Sequence, residues 1–171
     1  MYNIASTIMS STVDKDWEEI FGAASEELQC CIESVGRRFE QIGRQCIPEA
    51  YNVFRAFREC TLESVKVVIL AQEPYPAING SSLANGLALS TNGGILTPTL
   101  DVIKKWLLIS HPNCSSMRFD TSLKSWKTQG VLLINAALTC EQQLKGIQHL
   151  SHRKAWEHFV RKCLRGISNK K

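Results

Sequence analysis

Long apolar runs are missing from this 171-residue sequence, and their absence excludes whole classes of protein. The two longest runs, residues 67–71 and residues 131–134, are far too short for a helix that crosses a bilayer. Apolar residues make up 44% and charged residues 21% of the chain, which argues against a disordered tail, a collagen-like fibre or a coiled coil. We therefore expect one globular domain with a sizeable core.

The sequence also lacks any C-x-x-C pair, and its seven cysteines are an odd number. A disulfide framework in a secreted chain would normally use an even set, so packed and reduced thiols are the better interpretation. The N-terminus has no basic segment followed by an apolar one. These observations predict an intracellular protein, nuclear or cytoplasmic. His149 and His152 could share a helix face, but no third ligand pattern lies nearby and we expect no metal.

The sequence has no large excess of either sign of charge, since the net charge is only +4. A mildly basic chain permits a polyanionic partner without requiring one. Basic clusters such as Arg37-Arg38 and Lys104-Lys105 are, taken singly, more consistent with solvated helix faces than with a binding surface.

The periodicity of apolar residues divides the chain into a short leading segment and one domain. Residues 1–13 are rich in serine and threonine and are predicted to be disordered, and residues 14–171 form the domain. Within it we predict helices from Asp14 with a break near Gly36 or Gly43, a short helix over residues 51–60, an extended piece at 86–90, a helix capped by Thr97 and started by Pro98, and a helix over 151–164.

Two apolar runs, residues 64–70 and 131–134, are predicted as strands buried on both faces. Their alternation with helices predicts an α/β layer structure with a parallel sheet. Ligands of such sheets bind at the carboxyl ends of the strands. Glu73, held between stiffening prolines, and Asn135 both follow a strand at that end. A solvent-exposed loop glutamate and a strand-end cap are the alternative interpretations of these two residues.

Four motifs in sequence order extend this interpretation. Residues 67–76, V-V-I-L-A-Q-E-P-Y-P, resemble the water-activating loop of the family-1 uracil-DNA glycosylases, usually G-Q-D-P-Y-H or G-Q-D-P-Y-P. Residues 86–90 are similar to that family's G-L-[AS]-F-S segment, and residues 97–100 to its P-P-S-L loop. Residues 126–139 closely match W-x-x-Q-G-V-L-L-L-N-x-x-L-T. The resemblance runs from about Asp14 to about Leu164.

The resemblance implies a three-layer αβα fold with a central parallel sheet. It also implies hydrolysis of the N-glycosidic bond of uracil in DNA, at the start of base excision repair, without metal or cofactor, on a nucleotide flipped into a pocket. Glu73 would be the catalytic carboxylate. The base would be bound by Gln72, Tyr75, Leu89 and Asn135, and the DNA backbone by Ser90, Pro98 and Thr99.

The sequence departs from the family pattern at Ala71, Glu73 and Leu89, which replace glycine, aspartate and phenylalanine. It also ends at Lys171, before the segment that supplies the family's last two strands and an H-P-S-P-L loop. We therefore expect one edge of the 64–70 strand to be bare, or covered by a protein partner. The alternative function is a glycosylase-fold protein that binds DNA or a protein partner without catalysis.

Overall fold

The structure is a computed structural model that describes residues 4–11, 13–43, 45–76, 82–114, 119–142 and 150–170. Its helices and strands are, in chain order, α1 (Ile4–Ser10), α2 (Glu18–Ala23), α3 (Ser25–Ile42), β1 (Cys46–Ile47), α4 (Arg55–Glu59), β2 (Val67–Ala71), α5 (Pro98–Ser110), α6 (Lys124–Thr128), β3 (Val131–Asn135), β4 (Cys140–Glu141) and α7 (Arg153–Asn169). No helix in these ranges is both long and apolar enough to cross a membrane.

Aromatic side chains from three helices form the centre of the core. The ring of Phe21 on α2 meets Phe57 on α4 and Phe159 on α7 edge to face, with centroids 5.1 and 5.2 Å apart. Trp156 of α7 meets Phe54 in the same geometry at 6.2 Å. Edge-to-face contacts of this kind stabilise a core beyond the area they bury. They fix α7 against the helices that precede the sheet.

The structure corrects the prediction of a disordered N-terminus over residues 1–13. Residues 4–10 form α1, and Ile8 is fully buried in the core. A Cβ at Gly36 of α3 would lie 3.0 Å from Cβ of Ala5, so α1 packs against α3 through a close approach at this glycine. The serine and threonine content of this segment suggested disorder, although α1 contains four apolar residues.

The first long helix ends where one of the two predicted breaks falls. Gly43 caps α3 with a left-handed φ of +59°, a conformation that glycine adopts without a steric penalty. Gly36, the other predicted break, lies inside α3 and is buried. The turn between α2 and α3 falls instead at Ala24.

The two predicted strands form the parallel pair of the fold. β2 and β3 pair in register from Val67 opposite Val131 to Ala71 opposite Asn135. β1 and β4 form a second, antiparallel pair. The parallel α/β arrangement predicted from the sequence is therefore confirmed at its centre, and the carboxyl ends of β2 and β3 lie side by side.

A glycine before β3 sets where this pair begins. Gly130 has a φ of +89°, and a Cβ there would lie 2.1 Å from the carbonyl oxygen of Ser64. Its own carbonyl accepts hydrogen bonds from the backbone amides of Lys66 and Val67 at 2.7 and 3.2 Å. No side chain fits between the two segments, so the start of the register depends on this glycine.

The predicted burial of β2 on both faces is wrong. Val67 is 53% and Leu70 is 49% exposed, because the described residues pair β2 with another strand along one edge only. β3 is buried as predicted. β2 therefore carries more apolar side-chain surface than the described part of the chain covers.

Three further expectations can be compared with the structure. Thr97 caps α5 as predicted, and its hydroxyl accepts a hydrogen bond from the amide of Leu100 at 3.3 Å. Residues 86–90 form turns rather than the predicted extended piece, because Gly86 and Leu89 both have positive φ values. The last helix begins at Arg153 and continues to Asn169, beyond the predicted end at Leu164.

Candidate active site

The candidate site lies where the loops after β2 and β3 are joined. The backbone amide of Ala136 donates to the carbonyl of Ala71 at 2.8 Å, and the amide of Ala137 donates to the carbonyl of Gln72 at 3.0 Å. These bonds continue the sheet by two residues beyond its last paired positions. They bring Asn135 beside the loop that carries Gln72 and Glu73, as the sequence predicted.

Asn135 is an enclosed polar group at this edge of the sheet. The residue is 6% exposed, and within the described ranges its Oδ1 is out of solvent without a hydrogen-bond partner. A buried acceptor without a donor costs about 1–3 kcal/mol. Such groups are rare in folded proteins unless a ligand or water completes them. The amide is therefore placed to accept a hydrogen bond from a bound molecule.

Glu73 lies on the loop after β2, which a hydrogen bond from Cys140 holds in place. The residue is half-buried, and its Oε2 is out of solvent. The carbonyl of the next residue, Pro74, accepts a hydrogen bond from Sγ of Cys140 at 3.4 Å. Burial, together with the negative charge of Glu73, raises the pKa of the Cys140 thiol. The thiol therefore keeps its proton and remains a donor to the loop.

Tyr75 forms a wall that reaches towards helix α5. Its ring packs against Ile47, Ala84 and Cys140, and its hydroxyl lies 2.9 Å from Oγ1 of Thr97. Since Thr97 is also the N-cap of α5, the tyrosine is tied to the start of that helix.

Pro98 and Thr99 are both exposed at the first turn of α5. The unpaired amides and the dipole of a helix N-terminus attract anions such as phosphate. The DNA contact of these two residues stays a prediction.

Leu89 occupies a strained position next to β3. Its φ of +64° is unusual for a residue with a side chain, and its side chain packs partly into the core. The amide of the preceding Ala88 donates to the carbonyl of Leu133 at 3.0 Å. Local strain of this kind persists only where the surrounding bonds hold it.

Ser90 does not take the predicted position on a DNA-facing surface. It is fully buried, its hydroxyl donates to the carbonyl of Ser122 at 3.1 Å, and it accepts from Nδ2 of Asn85 at 2.8 Å. Both bonds lie inside the protein, so this burial contradicts a phosphate contact by Ser90. Its hydroxyl instead holds the turn that carries Leu89.

Sequence reasoning missed Asn85 and Cys140 as parts of this site. Asn85 accepts from the amide of Leu87 at 3.1 Å while it donates to Ser90, a local pattern that asparagine commonly makes. An Asx-turn signal could therefore have found it. The contact of Cys140 with Pro74 joins distant parts of the chain, and no local pattern indicates it.

The described ranges hold no group of three or more histidine, cysteine or acidic side chains that could bind a metal ion. Of the two histidines considered as a pair, His149 lies outside the described residues. His152 is buried, with Nδ1 2.9 Å from the hydroxyl of Thr139. The arrangement therefore offers a carboxylate, an amide and an aromatic wall as its chemical groups.

Solved structures first define the fold. The structure matches the crystal structure of a mimivirus uracil-DNA glycosylase with a TM-score of 0.80 and 21% identity, over 96% of this chain and 59% of that one. It matches the wild-type UNG of Nitratifractor salsuginis with a TM-score of 0.62 and 21% identity, over 95% of this chain and 73% of that one. The chain thus has the three-layer fold of these glycosylases.

Sequence relatives then define the family, although no protein-family model matches the chain. This chain is 33% identical to the uracil-DNA glycosylase of Proteus mirabilis. The match covers 94% of this chain and 69% of the length of that relative. It is 35% identical to the uracil-DNA glycosylase of Vibrio vulnificus over 89% of its length, and it spans 65% of that relative. The chain belongs to the uracil-DNA glycosylase family.

Proposed function

We propose that this protein removes uracil from DNA by hydrolysing the bond between the base and the deoxyribose, which starts base excision repair. The observation that carries the proposal is the buried Oδ1 of Asn135, which lacks a donor within the described residues, beside the loop of Glu73. An acceptor next to an amide donor suits the edge of uracil, which presents an N3–H donor and an O4 acceptor.

The donor and acceptor of the Asn135 amide would also exclude cytosine. Cytosine presents an acceptor at N3 and an amino donor at C4, so Asn135 would face the wrong group at each position. A site that leaves buried polar groups unpaired rejects the wrong ligand strongly. Tyr75 would discriminate in a second way, because its ring would clash with the methyl group that distinguishes thymine from uracil.

The bond-breaking step needs a group that stabilises positive charge. As the C1′–N1 bond breaks, its electron pair leaves with the base and the sugar becomes cation-like. The carboxylate of Glu73 would stabilise that charge and orient a water molecule whose oxygen bonds to C1′. One proton of the water then passes to the carboxylate or to solvent, and the departing uracil anion takes up a proton from solvent.

The DNA would reach this site with the uridine flipped out of the stack. The exposed Pro98 and Thr99, at the N-terminus of α5, would contact the phosphates beside that nucleotide. Leu89 would provide apolar contact to the base, without the face-to-face stacking that an aromatic ring gives.

The proposal is tested with a single-stranded oligonucleotide that contains one deoxyuridine. We expect the protein to release uracil and Glu73→Gln to abolish release, while Glu26→Gln, which removes an exposed carboxylate on α3, changes nothing. Asn135→Asp should allow release of cytosine. Binding of the oligonucleotide without uracil release by the wild-type chain would overturn the proposal in favour of a DNA-binding protein without catalysis.

A further inference from the structure

A buried group of three side chains lies on the far side of the loop that follows Asn135. Oγ1 of Thr139 accepts a hydrogen bond from Nε1 of Trp156 at 2.8 Å and lies 2.9 Å from Nδ1 of His152. Thr139 and Trp156 are fully buried, and His152 is 9% exposed. We call these three residues the Thr139 clamp. It joins the loop to the start of α7.

The chemistry of the groups fixes the direction of one of the two bonds in the clamp. The indole N–H can only donate, so it uses one lone pair of the Thr139 hydroxyl. The direction of the second bond, between this hydroxyl and Nδ1 of His152, depends on the tautomer of the imidazole. The other ring nitrogen, Nε2, lies 3.7 Å from Oε1 of Glu141.

The surroundings of the imidazole hold it in this orientation. The Phe39 and His152 rings meet in a T-shaped arrangement with centroids 5.1 Å apart. Glu141 is fully buried and forms an ion pair with Nε of Arg38 at 2.7 Å. The helix α3 and the strand β4 therefore support the clamp from two further directions.

The loop held by the clamp is the one that carries the site. Asn135 ends β3, and the amides of Ala136 and Ala137 then bond to the loop after β2. Thr139 follows, and the next residue, Cys140, donates to the carbonyl of Pro74. The clamp thus holds the segment 136–140 at Thr139. The same segment makes hydrogen bonds to the backbone of Gln72 and Pro74, the two neighbours of Glu73.

From this arrangement we propose that Thr139 and His152 are positioning residues, which hold the segment 136–140 so that Asn135 and Glu73 keep their relative places. This inference rests on the proposed uracil excision for its catalytic consequence. A displacement of about 1 Å in a catalytic group can reduce a rate about 100-fold. Neither residue needs to touch the substrate to have such an effect.

The first test compares two substitutions at one position. Thr139→Val keeps the shape of the side chain and removes the hydroxyl, whereas Thr139→Ser keeps the hydroxyl. We expect kcat for uracil release to fall at least about 10-fold in the valine variant, with a smaller change in KM, and to recover in the serine variant. Val35→Ala, in the core of α3, is the matched control that lowers stability without lowering kcat.

The second test does not depend on activity. Hydrogen exchange of the Ala136 and Ala137 amides, measured by NMR, should accelerate in Thr139→Val at least about 10-fold more than the loss of global stability explains, whereas in Val35→Ala it should accelerate by no more than that loss explains. If the wild-type chain releases no uracil, the proposed function fails while this measurement still decides the positioning role. Unchanged exchange and unchanged kcat in Thr139→Val would overturn the inference.

A second pair of variants applies if Thr139→Val does not fold. His152→Asn places a side-chain amide, which can donate or accept, near the position of Nδ1 and keeps a hydrogen-bond partner for the threonine hydroxyl, whereas His152→Leu does not. The asparagine variant should retain slow exchange at Ala136 and Ala137, and the leucine variant should lose it. Equal exchange in the two variants would contradict a role for this hydrogen bond.

Discussion

The two strands of the parallel pair have nearly the same composition and very different surroundings. β3 is enclosed, and Leu132, Leu133 and Ile134 are at most 1% exposed. β2 is as apolar, yet Val67 and Leu70 are about half exposed. The register that joins them is continuous over five residues. An apolar run therefore indicates that a strand can be covered on both faces, and the neighbours decide whether it is.

The same difference continues into the candidate site. Asn135 follows the enclosed strand and is buried, whereas Gln72, which follows β2, is exposed. The buried candidate side chain thus belongs to the enclosed strand of the pair. The four predictions below test this contrast between β3 and β2.

Leu133→Ala should have the largest effect on stability. Removing a fully buried leucine side chain leaves a cavity, and the free energy of unfolding should fall by about 2–5 kcal/mol. Denaturant unfolding followed by circular dichroism measures the change. A loss below 1 kcal/mol would mean that β3 is less tightly packed than the structure shows.

Asn135→Ala and Gln72→Ala should differ in activity, because one residue follows the enclosed strand and the other follows the exposed strand. The first removes the buried amide and should lower kcat/KM for uracil release about 100-fold, while the second removes an exposed side chain and should change it less than about 3-fold. Steady-state kinetics on one oligonucleotide measures both. Equal losses would show that the side chain of Gln72 also binds the base.

Glu59→Gln should have a smaller effect that depends on pH. Burial opposes the charge of Glu59, but its bonds to Arg55 and Lys127 outweigh burial and lower the carboxyl pKa below the usual value of 4.5. Because the pKa of Glu59 is lower in the folded than in the unfolded chain, the stabilisation is fully present above the unfolded pKa. It is lost as pH falls through the folded pKa. We expect a cost of about 1 kcal/mol at pH 7 that shrinks below pH 4.5.

Unfolding curves of the wild type and of Glu59→Gln, recorded at several pH values, give this difference directly. Glu59 joins α4, before β2, to α6, before β3, so the variant examines the support shared by both strands. A difference that stays constant from pH 7 to pH 3 would contradict the role of the ionised carboxylate.

Val67→Thr should have the smallest effect. The side chain is half exposed, so replacing a methyl group by a hydroxyl should cost less than about 0.5 kcal/mol. Val65→Thr, two residues earlier, is the matched control, because Val65 is 1% exposed and a buried hydroxyl costs about 1–3 kcal/mol. Equal costs would show that another molecule covers β2 in solution.

Much of the fold and of the site could be predicted from the sequence because local signals agree there. The apolar runs located β2 and β3, Thr97 and Pro98 marked the start of α5, and Gly43 ended α3. The placement of Asn135 beside the Glu73 loop followed from the general rule that the carboxyl ends of parallel strands lie together.

The remaining features depend on contacts between distant parts of the chain. The burial of Ser90 depends on the carbonyl of Ser122, and the packing of Ile8 depends on the core. A serine beside an apolar residue has the same local sequence whether it faces DNA or the interior. The exposure of β2 likewise depends on which elements lie beside it, which its own residues do not specify.

The parallel pairing of β2 with β3 has a consequence for how the protein folds. Residues 67–71 meet residues 131–135, so the contact closes a long loop that local helix formation does not require. Contacts between distant residues form slowly. Asn135 and Glu73 come together only when this contact forms, so we expect refolding protein to gain helical structure before it gains the ability to bind uracil. Stopped-flow circular dichroism and uracil binding would measure the two steps on one sample.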